Sequence, residues 1–326
     1  MATLTAPPDA VAAEWPGHAI GISNVDTRTR DHAAKRTGDP DGLRTLACRA
    51  LEGEHAFIED AIFHGLRVRL FTNSHHLADF WRDHVFSPAE WLEQTGNHAG
   101  AKPDATVYAV IRAGDVEDGL YDFPDRNETY LFNTSWFGEL REAAQAAVSR
   151  LLRAKGLLVF NGSAVEIDGK GLLCLGGSGS GRSATALALA ERGATLVADD
   201  AVCVEIGSST HASAYRLEKG LYLATKLVTA FPQHETVFLS GKFENVPDDP
   251  GNRLAVYDGS RTMIHPSKLV GRRKVQGPHR PVPVHAVVHL RRDPKDETVL
   301  SPSRKQDFPA PAYDLTGALT GRDGLI

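Results

Sequence analysis

The sequence predicts an α/β protein, and three observations lead to that class. From Gly156 onward, apolar and helical segments alternate in the order strand, loop, helix, strand. The preceding stretch, Gly138–Ala154, is rich in strong helix formers. Apolar residues make up 42% and charged residues 24% of the 326-residue chain. This composition is sufficient for a sizeable core and excludes general disorder.

The residues before this region carry the signals of a mixed structure of strands and helices. Residues 66–71 alternate apolar and basic side chains, as a half-buried strand does. Residues 75–85 space their apolar side chains as one face of a helix. Two more strands are predicted over 105–112 and 128–133. The N-terminal part is therefore predicted to be a smaller α+β domain.

Charge and cysteine content exclude several functional classes. The net charge of −5 leaves no chain-wide basic surface for nucleic acid. The three cysteines lack metal-ligand spacing, and so sparse a count is typical of a reducing compartment. No segment approaches the roughly 18 consecutive apolar residues of a membrane span, and the first residues do not resemble a signal peptide. We expect a cytoplasmic protein with no nucleic-acid or membrane partner.

The strongest local feature is the glycine-rich segment GGSGSGRS, Gly176 to Ser183. It follows a predicted buried strand and opens a predicted helix, which is the context of a phosphate-binding loop. It fits the template G-x-x-x-x-G-K-[ST], except that Arg182 stands at the lysine position. Backbone N–H groups of such a loop cradle phosphates, and the Ser183 hydroxyl would bind Mg²⁺. The alternative is a glycine-rich turn without a ligand.

If the loop binds a nucleotide, the contacts run along it from its second glycine into the helix. We predict them at Gly177, Ser178, Gly179, Ser180, Gly181, Arg182, Ser183 and Ala184.

Two consecutive acids, Asp199 and Asp200, close the next predicted strand. Because one helix separates them from the loop, a parallel sheet would bring them to the same edge. One carboxylate could hold Mg²⁺ while the other accepts the proton of a hydroxyl, which is the base role in phosphoryl transfer. The alternative is a solvated turn at a strand end.

The run NGSAVEIDGKGLLCLGGSGSGRSATALALAERGATLVADDAV resembles the core of the HPr kinase/phosphorylase family and, more distantly, ATP-dependent phosphoenolpyruvate carboxykinase. The resemblance is best over residues 156–206. It weakens toward residue 270, where GKFENV and YDGSRTMIHP resemble carboxykinase stretches. It implies a P-loop-containing HPr kinase/PEP carboxykinase-like domain over residues 146–326. Residues 1–145 would form the N-terminal α+β domain and recognise the phosphate acceptor.

The resemblance also implies a role for each matching residue. Asp199 would be the base toward the acceptor hydroxyl, and Asp200 and Ser183 would hold the metal. Arg261 and Arg182 would act on phosphate charge. The implied cofactors are ATP and Mg²⁺. The implied partners are the nucleotide and a hydroxyl acceptor, either a small molecule or a peptide or protein serine, and a homo-oligomer is compatible with the family.

Two departures from the family pattern leave alternatives open. Arg182 replaces the loop lysine, and Asn161 stands where both families have a histidine. An asparagine amide cannot act as a general acid or base. These departures favour, as an alternative to a kinase, a nucleotide-binding regulator or a catalytically degenerate homologue. They count most strongly against decarboxylating chemistry on oxaloacetate. ATP, GTP and pyrophosphate remain open as donors.

Overall fold

The computed structural model describes residues 35–36, 38–52, 56–85, 102–114, 116–133, 137–177, 179–206, 212–243, 261–271, 275 and 280–290. The strands are β1 (Lys35–Arg36), β2 (Phe57–Phe63), β3 (Leu66–Thr72), β4 (Ala105–Val110), β5 (Gly119–Phe123), β6 (Glu128–Phe132), β7 (Leu157–Ile167), β8 (Lys170–Gly176), β9 (Thr195–Ala198), β10 (Ala201–Ile206), β11 (Ala212–Arg216), β12 (Leu221–Ala224), β13 (Lys242–Phe243), β14 (Arg261–Ile264) and β15 (Val282–Leu290). The α-helices are α1 (Pro40–Glu52), α2 (His75–His84), α3 (Phe137–Ala154), α4 (Arg182–Glu191), α5 (Glu235–Leu239) and α6 (Ser267–Val270), and short 3₁₀ helices cover Pro124–Arg126, Thr225–Thr229 and Pro232–His234. This content confirms the α/β class.

The first six strands form one mixed sheet in the order β1-β5-β6-β4-β3-β2. Three of its four inner strands, β3, β4 and β6, are parallel to one another, and the fourth, β5, runs antiparallel to β6. Helix α1 packs on one face, where Leu43 and Ala47 contact aromatic residues of the sheet. Helices α2 and α3 cover the other face with Leu77, Trp81 and Leu140. Burial on both faces explains why β4 is almost continuously apolar, whereas β3 carries Arg67 and Arg69, which pair with Asp60 of β2.

Most predicted elements of this part are present, with small changes at their ends. The helix predicted over Gly138–Ala154 is α3, and the segment predicted over 75–85 is α2, which begins after an N-cap at Ser74. The strands predicted over 66–71, 105–112 and 128–133 are β3, β4 and β6. Helix α1 was not predicted, although its apolar residues have the i, i+3, i+4, i+7, i+8 spacing of an amphipathic helix: Leu43, Leu46, Ala47, Ala50 and Leu51.

The next strands close into a ring around their own core. Strand β7 is central because it pairs antiparallel with β8, β9 and β10. Strand β8 continues to β15, β15 to β11, and β11 back to β10. The interior of the ring is apolar and includes Phe160, Leu175, Val202 and Val282. A ring of this kind leaves β7 without a free edge at the position where the glycine-rich loop begins.

Helix α4 packs outside the ring against a small sheet with the order β12-β14-β13. Helix α3 lies between the two halves, because it packs against β6 of the first sheet and β7 of the ring. One apolar core therefore includes Leu140, Val159 and Tyr222 together. The division at residue 145 falls inside α3 and stays a prediction. Within the described ranges, no helix is long and apolar enough to cross a membrane.

Candidate functional site

The glycine-rich loop leaves the carboxyl end of β8 and enters α4 in an open conformation. Gly179 (φ 77°) and Gly181 (φ 95°) occupy the left-handed region, which glycine adopts without steric cost. No described atom lies within 4 Å of a Cβ built on Gly177, Gly179 or Gly181. The outer side of the loop therefore has room for a ligand. The predicted contact Ser178 lies outside the described residues.

Gly176 differs from these glycines because it is tightly enclosed. A Cβ at Gly176 would lie 2.3 Å from Ser180 Oγ and 2.5 Å from the carbonyl oxygen of Leu290. We expect Gly176→Ala to lower the free energy of unfolding by about 1–3 kcal/mol, as overpacking does. Gly177→Ala is the matched control and should stay within about 1 kcal/mol of wild type. Urea unfolding measures both, and equal stabilities would contradict the close approach.

The ring brings the acid pair to this loop. Strands β8 and β9 both run antiparallel to β7, so their carboxyl ends reach the same edge. Asp199 and Asp200 continue from β9 into β10 along β7, and the amide of Gly162 donates to the Asp200 carbonyl at 3.1 Å. The hydroxyl of Ser163, also on β7, donates to the carbonyl of Arg182 at 3.0 Å. One strand thus positions both the acid pair and the start of α4.

Asp199 is a buried carboxyl, with 3% of its surface exposed. Neither of its oxygens meets hydrogen-bond geometry with another described atom. Burial, followed by the negative charge of Asp200, raises the pKa of Asp199 to about 7. The Ser183 hydroxyl and the guanidiniums of Arg182 and Arg261 act in the opposite direction and lower this pKa. A carboxyl with a pKa near neutrality is suited to exchanging a proton.

Asp200 has the opposite environment, although it is also poorly exposed. Its Oδ2 lies 2.7 Å from Arg141 Nη2 and 3.5 Å from Arg261 Nη1, and its Oδ1 lies 3.5 Å from Arg182 Nη2. Burial alone would raise the pKa of Asp200, but these three guanidiniums lower it to about 2. The two neighbouring acids therefore differ strongly in proton affinity, which is a common feature of acid–base sites.

Arg182 points away from the open side of the loop. Its Nη1 donates to the backbone carbonyl of Asn161 at 2.7 Å and also to the Asn161 side-chain oxygen. The side chain is buried, unlike that of Arg261, which is 22% exposed. The Arg261 guanidinium lies 5.0 Å from the centre of the Tyr222 ring. Of these two predicted phosphate contacts, Arg261 is therefore the more accessible.

The structure adds two charged residues that the sequence analysis missed. Arg141, on α3, donates from Nε to Glu218 Oε1 at 2.7 Å and lies 4.3 Å from the Tyr222 ring centre. Glu218 also accepts from Gln145 at 2.9 Å. Burial raises the pKa of Glu218, although the charge of Arg141 opposes it. The burial of Arg141 could have been predicted from the sequence, because it lies on the same face of α3 as the buried residues Ala144, Val148 and Leu152. Glu218 had no such signal.

A magnesium ion fits one of the two acids better than the other. Asp200 already has an arginine against each oxygen, so a cation there would have to displace guanidiniums. Asp199 has two buried oxygens and no arginine as close as those at Asp200, and the hydroxyl of Ser183 interacts with it. The described residues contain no cluster of three or more metal-ligating side chains.

Comparison with known proteins places this site within a recognised family segment. Residues 156–218 match the HPr Serine kinase C-terminal domain. This match confirms the predicted resemblance for a minority of the chain that includes the loop, the acid pair and Glu218. Arg141 and Arg261 lie outside the matched residues.

Individual relatives are similar over short stretches. The HPr kinase/phosphorylase of Thermoanaerobacter sp. (strain X514) is 35% identical over 98 residues, which cover 28% of this chain and 30% of the relative. The HPr kinase/phosphorylase of Caldanaerobacter subterraneus subsp. tengcongensis is 34% identical over 98 residues, with the same coverage. That of Prosthecochloris aestuarii is 53% identical over 45 residues, 14% of this chain and 13% of the relative. The chain thus spans less than a third of the length of these curated relatives.

Proposed function

We propose that this protein is an ATP-dependent kinase that transfers the γ-phosphoryl group, with Mg²⁺, to a hydroxyl. The observation that carries the proposal is the buried carboxyl of Asp199, which lies beside Ser183 at the start of α4 and whose pKa is raised to about 7 by burial and by Asp200. A base in this position can accept the acceptor's proton while the loop holds the phosphates. The relatives named HPr kinase/phosphorylase support a serine hydroxyl of a protein as the acceptor, with a small-molecule hydroxyl as the alternative.

In this proposal, each group of the site has a separate task. The amides of the loop and of the first turn of α4 bind the phosphates of ATP. Ser183 would hold the metal, and Mg²⁺ supplies neutralisation of phosphate charge when it is bound. The guanidinium of Arg261, accessible beside Tyr222, stabilises charge that develops on the transferred group. Asp199 accepts the proton of the hydroxyl.

We further propose that residues 1–145 recognise the acceptor. Helix α3 supports this division of labour, because it packs on the first sheet and delivers Arg141 to Asp200. Arg141 thereby connects the N-terminal part to the acid pair, and ligand sites often lie between such units.

A nucleotide-binding regulator is the second candidate, and one observation favours it. Arg182 stands at the position of the phosphate-binding lysine, yet its side chain binds Asn161. A loop without a cation directed at the phosphates would bind ATP but transfer its γ-phosphoryl group slowly or not at all. Decarboxylating chemistry remains the third candidate and has the least support.

Two measurements on wild-type protein and Asp199→Asn separate these candidates. The first is the thermal shift with Mg-ATP, Mg-ADP, Mg-GTP and Mg²⁺ alone. Nucleotide at 100 times its dissociation constant stabilises a protein by about 2.7 kcal/mol, which is a shift of several degrees. The second is transfer of labelled γ-phosphate to serine-containing proteins and to small alcohols.

The kinase predicts a nucleotide shift in both proteins and a labelled product with wild type alone. A shift without any product would favour the regulator. No shift with any nucleotide would refute both.

A further inference from the structure

Asp200 is the charge centre of the site, and its oxygens are already engaged. Arg141 and Arg261 contact Oδ2 at 2.7 and 3.5 Å, and Arg182 contacts Oδ1 at 3.5 Å. A magnesium ligand must approach the ion to about 2.0–2.1 Å, and the ion keeps several waters around it. Such an ion on Asp200 would stand among three guanidiniums that repel it.

The three arginines come from distant parts of the chain. Arg141 belongs to α3, Arg182 opens α4 and Arg261 opens β14. The Tyr222 ring lies close to two of them, with its centre 4.3 Å from the Arg141 guanidinium and 5.0 Å from that of Arg261. Asp200 contacts all three. A single carboxylate therefore fixes where three separate elements place their cations.

We propose that Asp200 is a positioning residue that gathers Arg141, Arg182 and Arg261 at the site, and that it is not a metal ligand. This replaces the role that the family resemblance implied for Asp200. The metal part of the proposal rests on the proposed function, whereas the arginine part does not. Ser183 is then the group left for a cation beside the phosphates, and Asp199 stays the base.

The arrangement also joins the N-terminal sheet to the site. Arg141 reaches Asp200 from α3, which packs against both the first sheet and β7 of the ring. A displacement of α3 would move Arg141 and, through Asp200, the two arginines nearer to the loop. Asp200 thus transmits the position of residues outside the matched family segment to the reacting groups.

A charge-balanced double variant, R141Q/D200N, tests the proposal. It removes one positive and one negative charge together, so the net charge around Asp199 is unchanged. The matched control is R150Q/D122N, which removes a second ion pair that α3 forms, between Arg150 Nη1 and Asp122 Oδ2 at 2.6 Å. Wild type, the two double variants and the single variants R141Q and D200N are compared in three measurements. These are urea unfolding, Mn²⁺ binding in the presence of ADP by electron paramagnetic resonance, and steady-state kinetics.

For the arginine part, we expect D200N to lower the unfolding midpoint of wild type more than that of R141Q, in which only the contacts with Arg182 and Arg261 remain to be lost. Residues in direct contact show such non-additivity. Equal effects of D200N in both backgrounds would overturn the positioning role. This result requires no catalytic activity.

For the metal part, R141Q/D200N should bind Mn²⁺ with ADP within about threefold of wild type. Its kcat should fall at least tenfold with a smaller change in KM for ATP, while R150Q/D122N keeps both values. Loss of Mn²⁺ binding in the double variant, or an unchanged kcat, would overturn the proposal. Wild-type protein that binds no Mn²⁺ with ADP would instead refute the proposed function.

Discussion

Asp199→Asn is expected to lower turnover by a factor of about 10²–10⁴, the usual contribution of a general base. The amide has nearly the shape of the carboxyl but cannot accept the proton of the hydroxyl. Because the amide keeps an oxygen that can accept a hydrogen bond from the Ser183 hydroxyl, the loop and Ser183 should keep their positions. ATP binding should therefore stay within a few-fold of wild type. Steady-state kinetics and calorimetry with ATP measure the two quantities.

Asp122→Asn provides the control for a general effect of removing an acid. Asp122, in the first sheet, forms an ion pair with Arg150 of α3 and accepts a hydrogen bond from Thr129. The Asp122→Asn variant should turn over at the wild-type rate. Turnover of Asp199→Asn within threefold of wild type would contradict the base role. A loss of ATP binding equal to the loss of turnover would mean that Asp199 acts in binding instead.

The pH dependence of the wild-type reaction gives an independent view of the same group. With the pKa of Asp199 raised to about 7 by burial and by Asp200, the base form accumulates only as the pH passes neutrality. The rate at saturating ATP should rise tenfold per pH unit below about pH 7 and level off above it. The Asp199→Asn variant should lack this rise of rate with pH.

Local sequence patterns were sufficient to predict the elements that carry the site. The loop, α4 and the end of β9 lie within one strand–loop–helix–strand unit. Its elements are predicted by apolar periodicity and glycine spacing within a few neighbouring residues. Helix α3 was predicted because its composition favours helix at every turn. In each case the determinants lie inside the element itself.

The charge network could not be predicted in the same way. Arg141 and Arg261 reach Asp200 across 59 and 61 positions of sequence, and only the folded ring brings them together. The same applies to β15, which joins β8 in parallel from far along the chain. Contacts of this kind depend on chain topology, whereas periodicity reports only which face of an element is buried.

The two departures from the family pattern, Arg182 and Asn161, are in direct contact with each other in the structure. Considered separately, each substitution removes a group that the family uses. In the structure, the arginine donates to both the backbone and the side-chain oxygen of the asparagine. Both bonds come from Nη1, while Nη2 of the same guanidinium lies 3.5 Å from Asp200 Oδ1, and a lysine has no second nitrogen for that further contact. The two residues are therefore best considered as one unit that supports the start of α4.

The same carboxyl that is suited to proton transfer should weaken the fold near neutral pH. The pKa of Asp199 is 3.8 when unperturbed and about 7 in the folded protein, where burial and Asp200 favour the protonated form. Between these values the folded state binds more protons than the unfolded one, so the free energy of unfolding falls as pH rises from about 4 to 7. The difference in unfolding free energy between Asp199→Asn and wild type should therefore grow by up to about 4 kcal/mol from pH 4 to pH 8. Taking the difference removes the contributions of other titrating groups and any constant cost of the amide. Urea unfolding of both proteins at several pH values measures it, and a difference that stays flat would show that Asp199 titrates normally in the fold.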